Sequence, residues 1–156
     1  MPENILIAIA WPYANAEIHV GNLTGSHIPG DIVARYHRLK GNRVLMVSGT
    51  DSHGTPVSLR ADAEGKPVEE VYKKFHDTFL EVFKGYGITY DLFTSTHTEN
   101  HFKVSQSIFL ALKENGYMFK KTSMQWYSAG AMKFLPDRYV EGTCYICGDP
   151  NARSDQ

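Results

Sequence analysis

The chain has 156 residues, 42% apolar and 21% charged, with a net charge of −1. These values exclude a disordered tail and allow one ordinary domain with a real core. No apolar run is long enough to cross a bilayer, and acids and bases are interleaved, so there is no global field to capture a polyanion.

The N-terminus, "MPENILIAIA", has an acid ahead of a short apolar segment and no basic region. It reads as a first strand and not a secretory signal, which points to a cytoplasmic protein with no membrane partner. Residues 5–10 form an unbroken apolar run, as in a strand buried on both faces. The turn "WPYANAEIHVGN" follows. A plain connection needs only Gly, Pro or Asn, so its aromatic rings and imidazole suggest a surface that holds something. Residues 23–40 read as a helix, with Ile28, Ile32, Tyr36 and Leu39 at helical spacing. Pro29 is tolerable only near the first turn, or it kinks that helix.

Residues 44–49, "VLMVSG", are a second buried strand, and "TDSHGTP" is the loop at its C-terminal end. Helices follow over 57–64 and 68–84. The second carries Tyr72, Phe75, Phe79, Val82 and Phe83 as an apolar stripe. Residues 90–96 are a third strand. Residues 99–115 are another helix, with Phe102, Ile108, Phe109 and Leu112, stopped by Gly116. The order β-α-β-α-β-α predicts an α/β fold with a parallel sheet and right-handed crossovers. After residue 116 the pattern changes to β-prone stretches around Gly130. This predicts a β-rich, hairpin-like insertion over 117–156 that leads to Cys144 and Cys147. In a cytosolic chain that C-x-x-C suggests metal or redox chemistry before a structural disulfide. The redox reading is the weaker, because the motif does not open a helix after a strand.

In doubly wound folds ligands sit beyond the carboxyl ends of the strands, and both polar clusters fall there. If the first two strands are neighbours, the clusters share one crevice. Gly21 would let a ligand approach the backbone. A helix start beyond it suits a phosphate, and His19 could donate to phosphate oxygens. Asp51 could pair with an amine, although a lone loop acid more often bonds its own backbone. Trp11 and Tyr13, held by the rigid Pro12, could wall an apolar group or be plain core. Neither G-x-G-x-x-G nor G-x-x-x-x-G-K-[ST] is present.

Residues 19–22, "HVGN", resemble the HIGH signature of class I aminoacyl-tRNA synthetases. "WPYAN" before it resembles the methionyl and isoleucyl members, and "GTDSHGTP" the methionyl form. "FLPDRYVEGTCYIC" is similar to the methionyl approach to a zinc knuckle. Three motifs in the right order cover essentially the whole chain. The resemblance implies a Rossmann-like nucleotide-binding half, 1–116, followed by a connective insertion with a partial zinc knuckle, 117–156. It implies that methionine attacks the α-phosphate of ATP, with Mg2+, to give methionyl-adenylate, and that the methionyl group then passes to tRNA. His19 and Asn22 would contact phosphates and stabilise the transition state, and Gly21 would lie against adenine and ribose. Asp51 would bind the methionine amine, while Trp11, Pro12 and Tyr13 would form the side-chain pocket. Asn22 stands where the signature has a second His, giving a neutral hydrogen bond without a positive charge.

The family's KMSKS segment is absent from these 156 residues. Cys144 and Cys147 supply two of the four ligands that a closed Zn2+ site wants. The resemblance therefore implies a partial chain with half a catalytic site, weak or inactive alone. A sheet ending at its third strand leaves an open edge, which predicts low stability, self-association or a covering partner. The rival expectation is a non-catalytic truncated homologue acting as a nucleotide-binding or interaction module.

Overall fold

The computed structural model describes residues 1–130, 132–136 and 139–153. The described chain separates into two units, 1–107 and 108–156. Asp137 and Arg138 of the "FLPDRYVEGTCYIC" motif lie outside the described residues.

In the first unit, β1 (Asn4–Ala8), β2 (Arg43–Thr50) and β3 (Leu92–Ser95) form one parallel sheet in the order β1-β2-β3. Asn4 pairs with Arg43 and Val47 with Leu92. Helix α2 (Ile28–Leu39) connects β1 to β2. Helices α3 (Thr55–Glu64) and α4 (Val68–Gly85) connect β2 to β3. These are the parallel crossovers that the alternating pattern predicts.

The core lies on one face of the sheet. Period-2 alternation sends Met46, Ser48 and Thr50 into it, all 0% exposed. The α4 stripe Val71, Phe75, Phe79 and Phe83 packs over them, and Phe83 meets Phe93 of β3 at 5.2 Å between ring centres. Gly30 lets α2 come close, because a Cβ there would stand 2.3 Å from Ile9 Cδ1. Glu69 and Glu70 in the first turn of α4 and Lys84 in its last complement the helix dipole.

The opposite face corrects the expectation of strands buried on both sides. Leu6, Leu45 and Leu92 remain 66%, 51% and 54% exposed. A continuous apolar run fits a covered strand, but α2 and α4 both pack on the inner face.

A polar lock fixes α2 against the approach to β3. Asp31 accepts from the Thr89 N–H and hydroxyl, each at 2.8 Å, and from Arg35 at 2.5 Å. Arg38 reaches Asp91 at 2.8 Å, and Asp91 accepts the Met46 N–H at 2.7 Å.

The signature helix starts earlier than periodicity predicts. A first turn, α1 (Val20–Asn22), runs into a π-helical turn over Leu23–His27 and then into α2. The Ile28 N–H bonds back to Leu23 O, the longer reach of a π turn. Pro29 has no N–H to offer Gly25, and its ring would crowd that carbonyl in a regular helix. The π turn is the observed accommodation.

Helix α5 (Glu99–Glu114) has no buried residue; Ile108, Phe109 and Leu112 are 44–55% exposed. In the second unit β4 (Trp126–Ser128) pairs antiparallel with β5 (Lys133–Leu135), giving the hairpin expected around Gly130. Strands β6 (Glu141–Gly142) and β7 (Ala152–Arg153) pair around the cysteine turn.

Candidate functional site

The Trp-Pro-Tyr turn leaves β1, and the Asp-Ser-His-Gly loop leaves β2 beside it. Backbone hydrogen bonds stitch the two loops beyond the strand ends. The Asp51 N–H donates to Pro12 O at 2.8 Å, and the Ala14 N–H donates to Asp51 O at 2.9 Å. Tyr13 and Asp51 thereby form an isolated parallel bridge. The crevice expected from neighbouring strands is built on this joint.

Trp11, Pro12, Tyr13, His19 and Asn22 line one open cavity of about 340 Å³, with Phe79 also at its wall. Gly21 adjoins it through His19, and Asp51 through the backbone of Tyr13. Phe79, simply a core stripe residue by periodicity, thus has a second position at the cavity.

His19 caps α1 in extended conformation. Its Nδ1 accepts the Asn22 N–H at 3.3 Å, and the Asn22 side-chain oxygen accepts the His19 N–H at 3.2 Å. This is a reciprocal capping box with imidazole as the capping group. An accepting Nδ1 places the ring proton of the neutral tautomer on Nε2, so Nε2–H is the donor available to a ligand. A Cβ at Gly21 would stand 3.0 Å from His19 Nδ1 and Cε1, so glycine leaves room for the ring. Gly21 lies inside the first helical turn, whereas the sequence suggests a helix start beyond it. The Asn22 N–H is already used by His19.

Trp11 lies across β2. A Cβ on Gly49 would be 2.7 Å from Trp11 Cζ3 and 2.8 Å from Cη2. The indole therefore occupies the space that a side chain at 49 would take. Asp51 Oδ1 accepts the His53 N–H at 3.4 Å, as a loop acid bonding its own backbone does. Gly54 at φ +113° and ψ 170° takes a conformation only glycine holds without strain.

A histidine group missed by the sequence reading lies at the same strand ends. His53 Nε2 is 3.3 Å from His97 Nδ1, and His97 packs against Tyr72 and Phe102. The strand-end rule applied to β3 singles out His97, because Thr96 and His97 follow that strand.

Cys144 and Cys147 lie in the second unit as free thiols. The turn is tight: the Gly148 N–H donates to Cys144 O at 2.9 Å, and the Cys144 N–H donates to Asp149 O at 2.8 Å. Backbone N–H groups of Cys147 and Ile146 hold the Cys144 thiol below its ordinary range. Among the described residues no group of three or more His, Cys, Asp or Glu could hold a metal.

Comparison with known proteins follows the same lines. Residues 5–156 match the family described as tRNA synthetases class I (M). The methionine–tRNA ligase of Thermomicrobium roseum is 56% identical over 156 residues, which are 100% of this chain and 27% of that protein. The Roseiflexus enzyme of the same name is 55% identical, with 26% of its length covered. The structure of Mycobacterium tuberculosis methionyl-tRNA synthetase in complex with methionyl-adenylate superposes with a TM-score of 0.74 at 28% identity. The match covers 97% of this chain and 30% of that one. The chain spans about a quarter of the length of these curated relatives.

Proposed function

Because the chain belongs to the class I tRNA synthetases of the methionine type, we propose that it handles methionine and ATP for a methionine–tRNA ligase. The reaction is attack of the methionine carboxylate on the α-phosphate of ATP. The α–β phosphoanhydride bond breaks, pyrophosphate leaves, and methionyl-adenylate remains for transfer to tRNA. The observation that carries this reading is the Tyr13–Asp51 stitch, which joins both strand-end loops beside one cavity shared by Trp11, Tyr13, His19 and Asn22.

Each residue has a role that follows from its atoms. His19 Nε2–H donates toward phosphate oxygens whose charge grows as the leaving bond breaks. The Asn22 oxygen is engaged by the His19 N–H, so its amide nitrogen is the part that can face a phosphate. Gly21 offers a bare backbone for adenine and ribose, while its missing Cβ seats the His19 ring. The Asp51 carboxylate pairs with the methionine ammonium, and Trp11, Pro12 and Tyr13 wall the thioether side chain. These contacts orient the carboxylate for in-line attack, which is the positional part of the rate enhancement.

Mg2+ arriving with ATP would neutralise phosphate charge, and its binding falls outside the residues assigned here. Cys144 and Cys147 fit half of a structural Zn2+ site, and a closed tetrahedral site needs two further ligands. We assign 1–116 to the nucleotide-binding half and 117–156 to the connective insertion, in a cytoplasmic enzyme whose macromolecular partner is tRNA.

The test is methionine-dependent ATP–pyrophosphate exchange by the full-length protein that carries this chain. Exchange with methionine but not with isoleucine or valine is expected, with Asp51→Ala losing methionine binding. Exchange supported equally by isoleucine would overturn the assignment of methionine.

A further inference from the structure

The roles above leave unused a hydrogen-bonded pair, the buried His27 and the half-buried Tyr90. His27 is 1% exposed and closes the π turn that follows the His19–Asn22 cap. Its Nδ1 lies 2.6 Å from the Tyr90 hydroxyl, and its ring packs 4.7 Å from that of Phe83.

The bond ties the π turn that follows the cap to residue 90, beside β3 and 63 residues away in sequence. Pro29 favours an irregular turn here, but it does not fix that turn to the sheet; the His27–Tyr90 bond does.

The register matters because a π turn holds one residue more than an α turn. Reverting it to α would rotate the His19–Asn22 cap by about 100° about the helix axis relative to α2. His19 would then face away from the cavity.

We propose that His27 and Tyr90 are positioning residues: their hydrogen bond holds the π turn that aims His19 and Asn22 into the cavity. This rests on the functional reading above. It predicts a loss realised in the transition state, since the contact at stake is with a phosphate whose charge develops during reaction.

The experiment uses the full-length protein with Tyr90→Phe, His27→Leu and His27→Asn, the last able to keep a hydrogen bond near the Nδ1 position. Val71→Ala, in the α4 stripe and outside the His27–Tyr90 bond, serves as a core control. Pyrophosphate exchange gives kcat and KM, and hydrogen exchange read by mass spectrometry follows peptides spanning 19–28. Expected are a tenfold or larger fall in kcat for Tyr90→Phe with both KM values within twofold, and partial recovery in His27→Asn over His27→Leu. Faster exchange across 19–28 is also expected, while β2 peptides stay unchanged. Wild-type kcat in both Tyr90→Phe and His27→Leu, or an equal fall in Val71→Ala, overturns the proposal. If the wild type performs no methionine-dependent exchange, the functional reading fails instead. Protection of 19–28 then still decides whether the His27–Tyr90 bond holds the turn: unchanged protection in Tyr90→Phe overturns it.

Discussion

Gly49→Ala is the sharpest single test of how the cavity wall is built. The new Cβ would stand 2.7 Å from Trp11 Cζ3, 0.7 Å inside the 3.4 Å edge of ordinary contact. It would also lie 2.7 Å from Thr94 O, a backbone atom of the neighbouring strand β3 that cannot swing aside. Overpacking of this kind costs about 1–3 kcal/mol. Alanine recovers about 0.5–1 kcal/mol of that, because glycine is costly within a strand. The net expectation is a loss of about 1–2 kcal/mol, which lowers the melting temperature by about 2–4 °C per kcal/mol for a chain of this size. The assay is thermal unfolding in a Trp126→Phe background, where Trp11 is the sole remaining tryptophan. Trp11→Leu combined with Gly49→Ala should recover only the indole share, a coupling of about 0.5–1 kcal/mol. An unchanged melting temperature together with an unchanged Trp11 emission maximum would show that the indole does not lie on Gly49.

Burial holds both His27 and His76 below the ordinary histidine value of 6.5. The unfolded chain then takes up more protons in acid. Stability is full above about pH 6.5 and falls as the pH drops toward the folded values, by up to about 1.4 kcal/mol per pH unit per histidine. Urea midpoints measured from pH 7.5 to 5.5 should decline below 6.5, and a flat profile refutes this. Asp31→Ala removes the acceptor of two Thr89 bonds and one Arg35 bond and should cost about 1.5–3 kcal/mol by chemical denaturation. Phe75→Ala, in the α4 stripe at 2% exposure, should cost about 3–5 kcal/mol in the same assay. Cys144→Ser should lower the zinc content of the full-length protein measured by elemental analysis, while an unchanged metal load removes the cysteine turn from the metal site.

Much of the scaffold is legible in the sequence. The apolar runs at 5–10 and 44–49 locate β1 and β2, and the strand-end rule brings their two loops together. The α4 stripe needs only the 3.6-residue period. The π turn leaves no periodic mark, because it goes with the missing N–H of Pro29 and with a hydrogen-bonded pair 63 residues apart in sequence, His27 and Tyr90. The start of the signature helix is misjudged for a chemical reason: the usual capping residues are Ser, Thr, Asp and Asn, and here an imidazole takes that place. The exposed sheet face is equally hidden, since a continuous apolar run reads the same whether one face is covered or two. Trp11 against Gly49 is a contact of shape alone, which composition and spacing do not encode.

The stitch between Tyr13 and Asp51 has an evolutionary consequence. Surface connections ordinarily drift in length, because nothing outside them counts their residues. These two are counted against each other: one added residue between Ala8 and Tyr13, or between Thr50 and Asp51, would slip the pairing by one and turn each side chain to the opposite face. Indels in this part of the gene should therefore be purged, or arrive in matched pairs, even where no ligand touches the backbone.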